Sequence, residues 1–174
     1  PLAALAATGV SGYDLLVPTY WVVERLLSKK LLQAVPVERV PNHANLIPEL
    51  LTTPWDRGAR FNLPWQSGFT GIAWNPAETN GKEIRSVDQL LHDPTIKGKV
   101  GLVVEMREVI GLIMLAKGQD ASRPTVEQAD AALDDLEAVL QAGQVKFFTA
   151  TEFQKLLPDR TLAACLAWSG GCVQ

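Results

Sequence analysis

Glu105 and Glu108 are two carboxylates three residues apart, set directly after the apolar run Val100, Leu102, Val103 and Val104. Carboxylates make charge-assisted hydrogen bonds to cationic N–H groups, stronger than neutral ones. Residues three apart on one helical turn lie side by side, with Cβ atoms about 5–6 Å apart. That spacing suits a shared cationic ligand. It does not suit an acid/base pair that must flank a bond from opposite faces, as in a glycosidase. A second reading stays open at this level: acidic residues in a first helical turn also complement the helix dipole and need no ligand.

The elements around the pair are those that could place it. VGLVV reads as a strand covered on both faces. Met106, Val109, Ile110, Ile113 and Met114 then recur at helical spacing, and Gly118 stops the helix. The same strand–turn–helix form occurs near the start of the chain. Tyr13 to Val17 reads as a strand, Thr19, Tyr20 and Trp21 follow its carboxyl end, and a helix buries Val22, Val23, Leu26 and Leu27. Thr161 to Trp168 reads as a last strand, ending in Trp168, Ser169, Gly170 and Gly171. In open α/β sheets, ligands collect outside the carboxyl ends of strands. Between these units, Phe61 to Leu63 and Thr70 to Trp74 read as strands. They flank PWQSG, Pro64 to Gly68, whose Trp65, Gln66 and Ser67 are candidates for a ligand-facing loop.

The remaining segments are connectors and cover. Pro36 to Trp55 is loop-rich, with a short helix expected at Leu46 to Leu51, and Asp56 to Ala59 reads as a turn. Asn75 to Asn80 is the best internal boundary. Ser86 is an N-cap for a helix over Val87 to Leu91. Thr125 caps a longer helix, Val126 to Ala142, whose apolar face is read as Ala131, Leu133, Leu136, Val139 and Leu140. Val145 to Phe148 is a short strand, and Thr151 is the expected cap of a helix through Leu157. Alternation of strands and helices argues an α/β class with mainly parallel pairing. The unusual strand ends straddle the Asn75 linker, so two lobes with a ligand between them is the economical arrangement.

Composition narrows the function. The chain has 174 residues, a formal charge of −3 and 47% hydrophobic residues, ordinary for a globular protein. No basic cluster argues for nucleic acid. No apolar run approaches a membrane span. Pro1 to Ala7 lacks a charged n-region and does not read as a signal peptide; Leu2 to Ala7 reads as the end of a helix, closed by Gly9. Cys165 lies in an apolar strand and reads as a small buried hydrophobe. Cys165 and Cys172 form no CxxC or Cys/His cluster, and His43 and His92 stand alone as surface residues, so no metal site is expected. No Ser-His-Asp set, phosphate loop or GxGxxG fingerprint is visible, so neither catalysis nor a cofactor is expected.

Four segments, taken together, resemble a known family. SGYDLLVPTYWVVERL, PWQSGFTGIAWN, DPTIKGKVGLVVEMREVIGL and LAWSGG occur in the order and spacing of the spermidine/putrescine-binding proteins of bacterial ABC importers. The resemblance implies a two-lobed, type II periplasmic-binding-protein-like fold that closes on a polyamine in an interlobe cleft. It implies that this chain is an internal fragment, incomplete at both ends. Residues 1–74 would be part of lobe one and 75–174 part of lobe two, with the hinge crossing near 74–80. Carried over by position, Thr19, Trp21, Ser67, Glu105, Glu108 and Trp168 would line the site. Glu105 and Glu108 would bind amine nitrogens, and Trp168 would flank the methylene chain. Ser67 departs from the pattern, because polyamine binders commonly have Trp there, and this leaves the ligand open.

The resemblance further implies a monomer outside the cytoplasm, periplasmic or lipid-anchored at the outer face of the membrane, that hands its ligand to ABC permease subunits. The chemistry agrees with such a ligand: a Trp face attracts a cation by roughly 0.5–2 kcal/mol and also covers methylenes. The alternatives are a binder of another small solute (a thiamine-like cation, an amine or an anion) and an enzyme that uses Glu105 and Glu108.

Overall fold

The computed structural model describes residues 13–172. The helical remnant expected at Leu2 to Ala7 lies outside them. The chain divides into two compact units, one ending at Ser67 and the other beginning at Gly68.

The first unit contains helix α1 (Tyr20–Ser28), three 3-10 turns and a minimal antiparallel hairpin of β1 (Thr52–Thr53) and β2 (Asp56–Arg57). Helix α1 buries Val22, Val23 and Leu26, and Trp21, Leu31 and Leu32 pack around Val22 and Leu26. Three expectations change here. Tyr13 to Val17 forms no strand, because no described segment supplies a ladder partner; Leu15 is 88% exposed. Leu46 to Leu51 is a 3-10 turn over Pro48–Leu51 rather than an α-helix; Pro48 disfavours helical backbone at the residue before it, and Ile47 is extended. Phe61 to Leu63 is irregular. The backbone N–H groups of Arg60, Phe61 and Asn62 donate to the buried Asp56 carboxylate at 3.0–3.1 Å instead of to a neighbouring strand. Asp56, read from the sequence as a turn residue, is the polar node of this unit.

The second unit is built on β3 (Thr70–Trp74), β4 (Val100–Val103), β5 (Val145–Thr149) and β6 (Ala164–Trp168). Their order in the sheet is β3-β6-β4-β5. Strands β6, β4 and β5 run parallel and β3 pairs antiparallel to β6. The second unit begins at Gly68, and the whole of β3 is laddered to β6.

Helices α2 (Val87–His92), α3 (Met106–Ala116) and α4 (Val126–Gln141) contribute to one buried cluster with Val100, Leu102, Ala164 and Leu166. Phe153, in the short helix α5 (Phe153–Leu156), forms a second cluster with Leu162, Cys165 and Ala167. β6 feeds the two clusters alternately, as the period of two along a strand requires. A last short helix, α6 (Ser169–Cys172), follows β6.

The caps expected at Ser86 and Thr125 are present. Ser86 Oγ accepts from Gln89 N at 3.1 Å, and Thr125 forms a reciprocal capping box with Gln128. Thr151 is not the cap of α5. Glu152 takes that position, and its carboxylate accepts from the N–H groups of Ala150 and Thr151. The buried face of α4 is Ala132, Leu136 and Val139, whereas Ala131, Leu133 and Leu140 are exposed. The fully buried Ala132 is a small contact residue, which lets the backbone approach closely on that side. Met106, the first residue of α3, is also exposed, at 67%. Gln144 ties this unit together: its side-chain amide donates to the carbonyls of Leu90 and Asp93.

Candidate functional site

The carboxyl ends of β4 and β6 lie on adjacent parallel strands. Strand β4 leads into Glu105, which takes the N-cap position of α3; its carbonyl accepts from the N–H groups of Glu108 and Val109. Its half-buried side chain makes no cap bond. Glu108 follows in the first turn, where the helix dipole favours a negative charge. Strand β6 ends at Trp168, which stands directly across the antiparallel ladder from Thr70, the first residue of β3. Residues so opposed share a face of the sheet.

Three elements thereby converge on one carboxylate. The indole Nε1 of Trp168 donates to Glu108 Oε2 at 2.8 Å, and the Thr70 hydroxyl donates to the same oxygen at 2.8 Å. The backbone beneath is stitched at its open end. Ser169 N donates to Phe69 O at 2.9 Å, and Phe69 N donates to Ser169 Oγ at 3.2 Å. A Cβ at Gly68 would lie 2.9 Å from Ser169 Oγ, so glycine permits this close approach.

Of the six residues singled out in the sequence, Glu108 and Trp168 are in direct contact, and Glu105 lies in the same helical turn. Thr19, Trp21 and Ser67 belong to the first unit. Thr19 is the N-cap residue of α1 and is exposed, Trp21 is half-buried against the Val22 and Leu26 cluster, and Ser67 is exposed. Thr70 was not singled out. Its signal was present as the one hydroxyl on the face that β3 otherwise builds from Ile72 and Trp74. Outside this site, an open hollow lined by Ile72, Trp74, Glu83, Ile84 and Arg85 holds none of the six. Cys165 is fully buried, and burial pushes its thiol pKa up to about 12, as befits an inert core residue. No helix among the described residues is long and apolar enough to cross a membrane.

No family model matches the chain. Over 119 residues it is 32% identical to the spermidine/putrescine-binding periplasmic protein 1 of Haemophilus influenzae, an alignment covering 68% of this chain and 33% of that protein. The chain is homologous to one stretch of the spermidine/putrescine-binding proteins. It spans about a third of the length of this curated relative.

Solved structures share the fold. The TpPotD lipoprotein of Treponema pallidum superposes with a TM-score of 0.83 at 19% identity, over 98% of this chain and 53% of that one. The spermidine/putrescine ABC transporter substrate-binding protein PotD of Streptococcus pneumoniae gives 0.72 at 22% identity, over 98% and 51%. The α/β, periplasmic-binding-protein-like fold expected from the sequence is therefore the fold of this chain. The homologues are solute-binding transport proteins by name.

Proposed function

We propose that this chain is part of an extracytoplasmic solute-binding protein that captures a polyamine of the spermidine/putrescine class and delivers it to an ABC permease. The observation that carries the reading is the Glu108 carboxylate, anchored by Trp168 and Thr70 at the mouth of two parallel strands. A flexible dication needs two things from a site: anionic oxygens for its ammonium groups and flat apolar faces for its methylenes. Glu108 and Glu105 supply the first and Trp168 the second. Thr19, Trp21 and Ser67 are proposed as further contacts to the same ligand. The names of the relatives support the polyamine, the transporter and a location outside the cytoplasm, periplasmic or lipid-anchored. A monomer suffices for this role, and no catalytic step is assigned to Glu105 or Glu108, which stand side by side on one helical turn.

Ser67, where polyamine binders commonly carry Trp, keeps a second solute class in view: a thiamine-like cation, another amine or an anion. Isothermal titration of the natural full-length protein with spermidine, putrescine, cadaverine, thiamine and small anions tests the reading. Glu108→Gln keeps the shape of the side chain and removes the charge. It should cost one charge-assisted bond of roughly 1.5–3 kcal/mol, about ten- to a hundred-fold in polyamine affinity. Unchanged affinity in Glu108→Gln, or tight binding of an anion instead, overturns the proposal.

A further inference from the structure

The Glu108 carboxylate is held by one oxygen. Both donors, the Thr70 hydroxyl and the Trp168 indole N–H, reach Oε2 at 2.8 Å, and Oε1 accepts from neither. An ionised carboxylate offers about four acceptor positions, two on each oxygen. Two donors fill Oε2, so an incoming N–H is directed to Oε1.

Cations differ in what they require of a carboxylate. An ammonium is a compact point charge whose N–H groups are satisfied one oxygen at a time. A guanidinium is a rigid planar fork whose strong pairing with a carboxylate uses both oxygens, in two parallel N–H···O bonds. We infer that Thr70 and Trp168 turn Glu108 into a one-oxygen acceptor, so that this position selects ammonium over guanidinium ends, with Thr70 as a positioning residue for that selection. The inference rests on the reading of Glu108 as a cation contact.

Thr70 is well placed to hold Oε2 in position. It faces Trp168 across the ladder, and the Phe69–Ser169 bonds fix the backbone just before it. Its branched side chain has few rotamers. The two donors come from β3 and β6 and the acceptor from α3, so a shift of one strand leaves the other donor in place.

The probes are 1,4-diaminobutane and 1,4-diguanidinobutane, which share a four-carbon spacer and differ only in their end groups. Both are titrated into the natural full-length protein and its variants, with melting temperature followed alongside. Wild type should prefer the diamine. Thr70→Val keeps the shape and removes the donor, leaving Oε2 held by Trp168 alone; the looser carboxylate should weaken diamine binding about fivefold, while the diguanidine holds or gains. The preference therefore narrows. Thr70→Ser restores the donor and should restore the preference. Trp168→Phe removes the other donor and should shift the ratio the same way, which covers the case of an unstable Thr70→Val. Binding of both probes with an unchanged ratio in Thr70→Val and Trp168→Phe overturns the one-oxygen selection alone. A wild-type protein that binds neither probe overturns the polyamine reading itself.

Discussion

The two units of the molecule are held by different forces. In the second, the central strands β4 and β6 are covered on both faces, and Val100, Leu102, Leu166 and Ala132 are all within 1% of complete burial. In the first, the buried apolar side chains among the described residues are Val22, Val23, Leu26 and Ala59, and the loops turn instead around the Asp56 carboxylate. One region is organised by an apolar core and the other by a polar node. Glu108 and its two donors stand on the first kind of support, where close packing fixes side-chain positions, so its geometry is set before any ligand arrives.

Substitutions can break this contrast. The largest effect is expected from Leu102→Ala, which leaves a cavity in the β4 core and should cost about 2–5 kcal/mol. Urea unfolding reads the loss. Hydrogen exchange should place it in the second unit, with the amides of α1 spared. Asp56→Ala comes next. It should cost about 1.5–3 kcal/mol, the value of hydrogen bonding to a charged acceptor. Loss of protection should be confined to the amides of Arg60, Phe61 and Asn62 and their neighbours. Protection retained there would mean that the first unit has an apolar core after all. Thr125→Ala removes the capping box of α4 and should cost roughly 0.5–2 kcal/mol, with fraying limited to the first turn.

The smallest effect is a pH dependence. Asp93 is buried in the second unit, and its carboxyl pKa is lowered from 3.8 to about 2. The Lys82 ammonium at 2.5 Å is the main cause, helped by the hydroxyl and the N–H of Thr95. A folded-state pKa below the unfolded value stabilises the fold above about pH 3.8. That contribution is lost as pH falls from 3.8 towards 2. Lys82 is half exposed, so salt should weaken the effect. Acid titration of Asp93→Asn beside wild type checks it: the variant should lack this part of the acid slope.

Much of the second unit was legible in the sequence because its signals are local. A polar cap followed by an apolar period marks α2 and α4, and an unbroken apolar run marks β4. The buried face of α4 was read a step out of place, because Ala132 is too small to stand out in a hydrophobic pattern and Leu133 and Leu140 are not. Tyr13 to Val17 has the composition of a strand, but composition supplies no ladder partner. Asp56 and Thr70 escaped for the same reason as each other. Their roles lie in hydrogen bonds to groups brought near by the fold, and nothing in a turn-like DRGA or a strand-like TGIAW announces them. Glu108 and Trp168 were singled out by their places at strand ends; their direct contact is a tertiary fact.

The Phe69–Ser169 stitch joins residues 100 positions apart. A ribosome adds about 5–20 residues per second, so on the order of 5–20 s separates the synthesis of the two halves of this join. During that time β3 has emerged with Ile72 and Trp74 and has no β6 to pair with. Glu108 likewise emerges before its indole donor exists. The carboxylate that the fold presents so firmly is thus fixed only after Trp168 has emerged, and until then β3 is an open edge for a nascent-chain chaperone to cover.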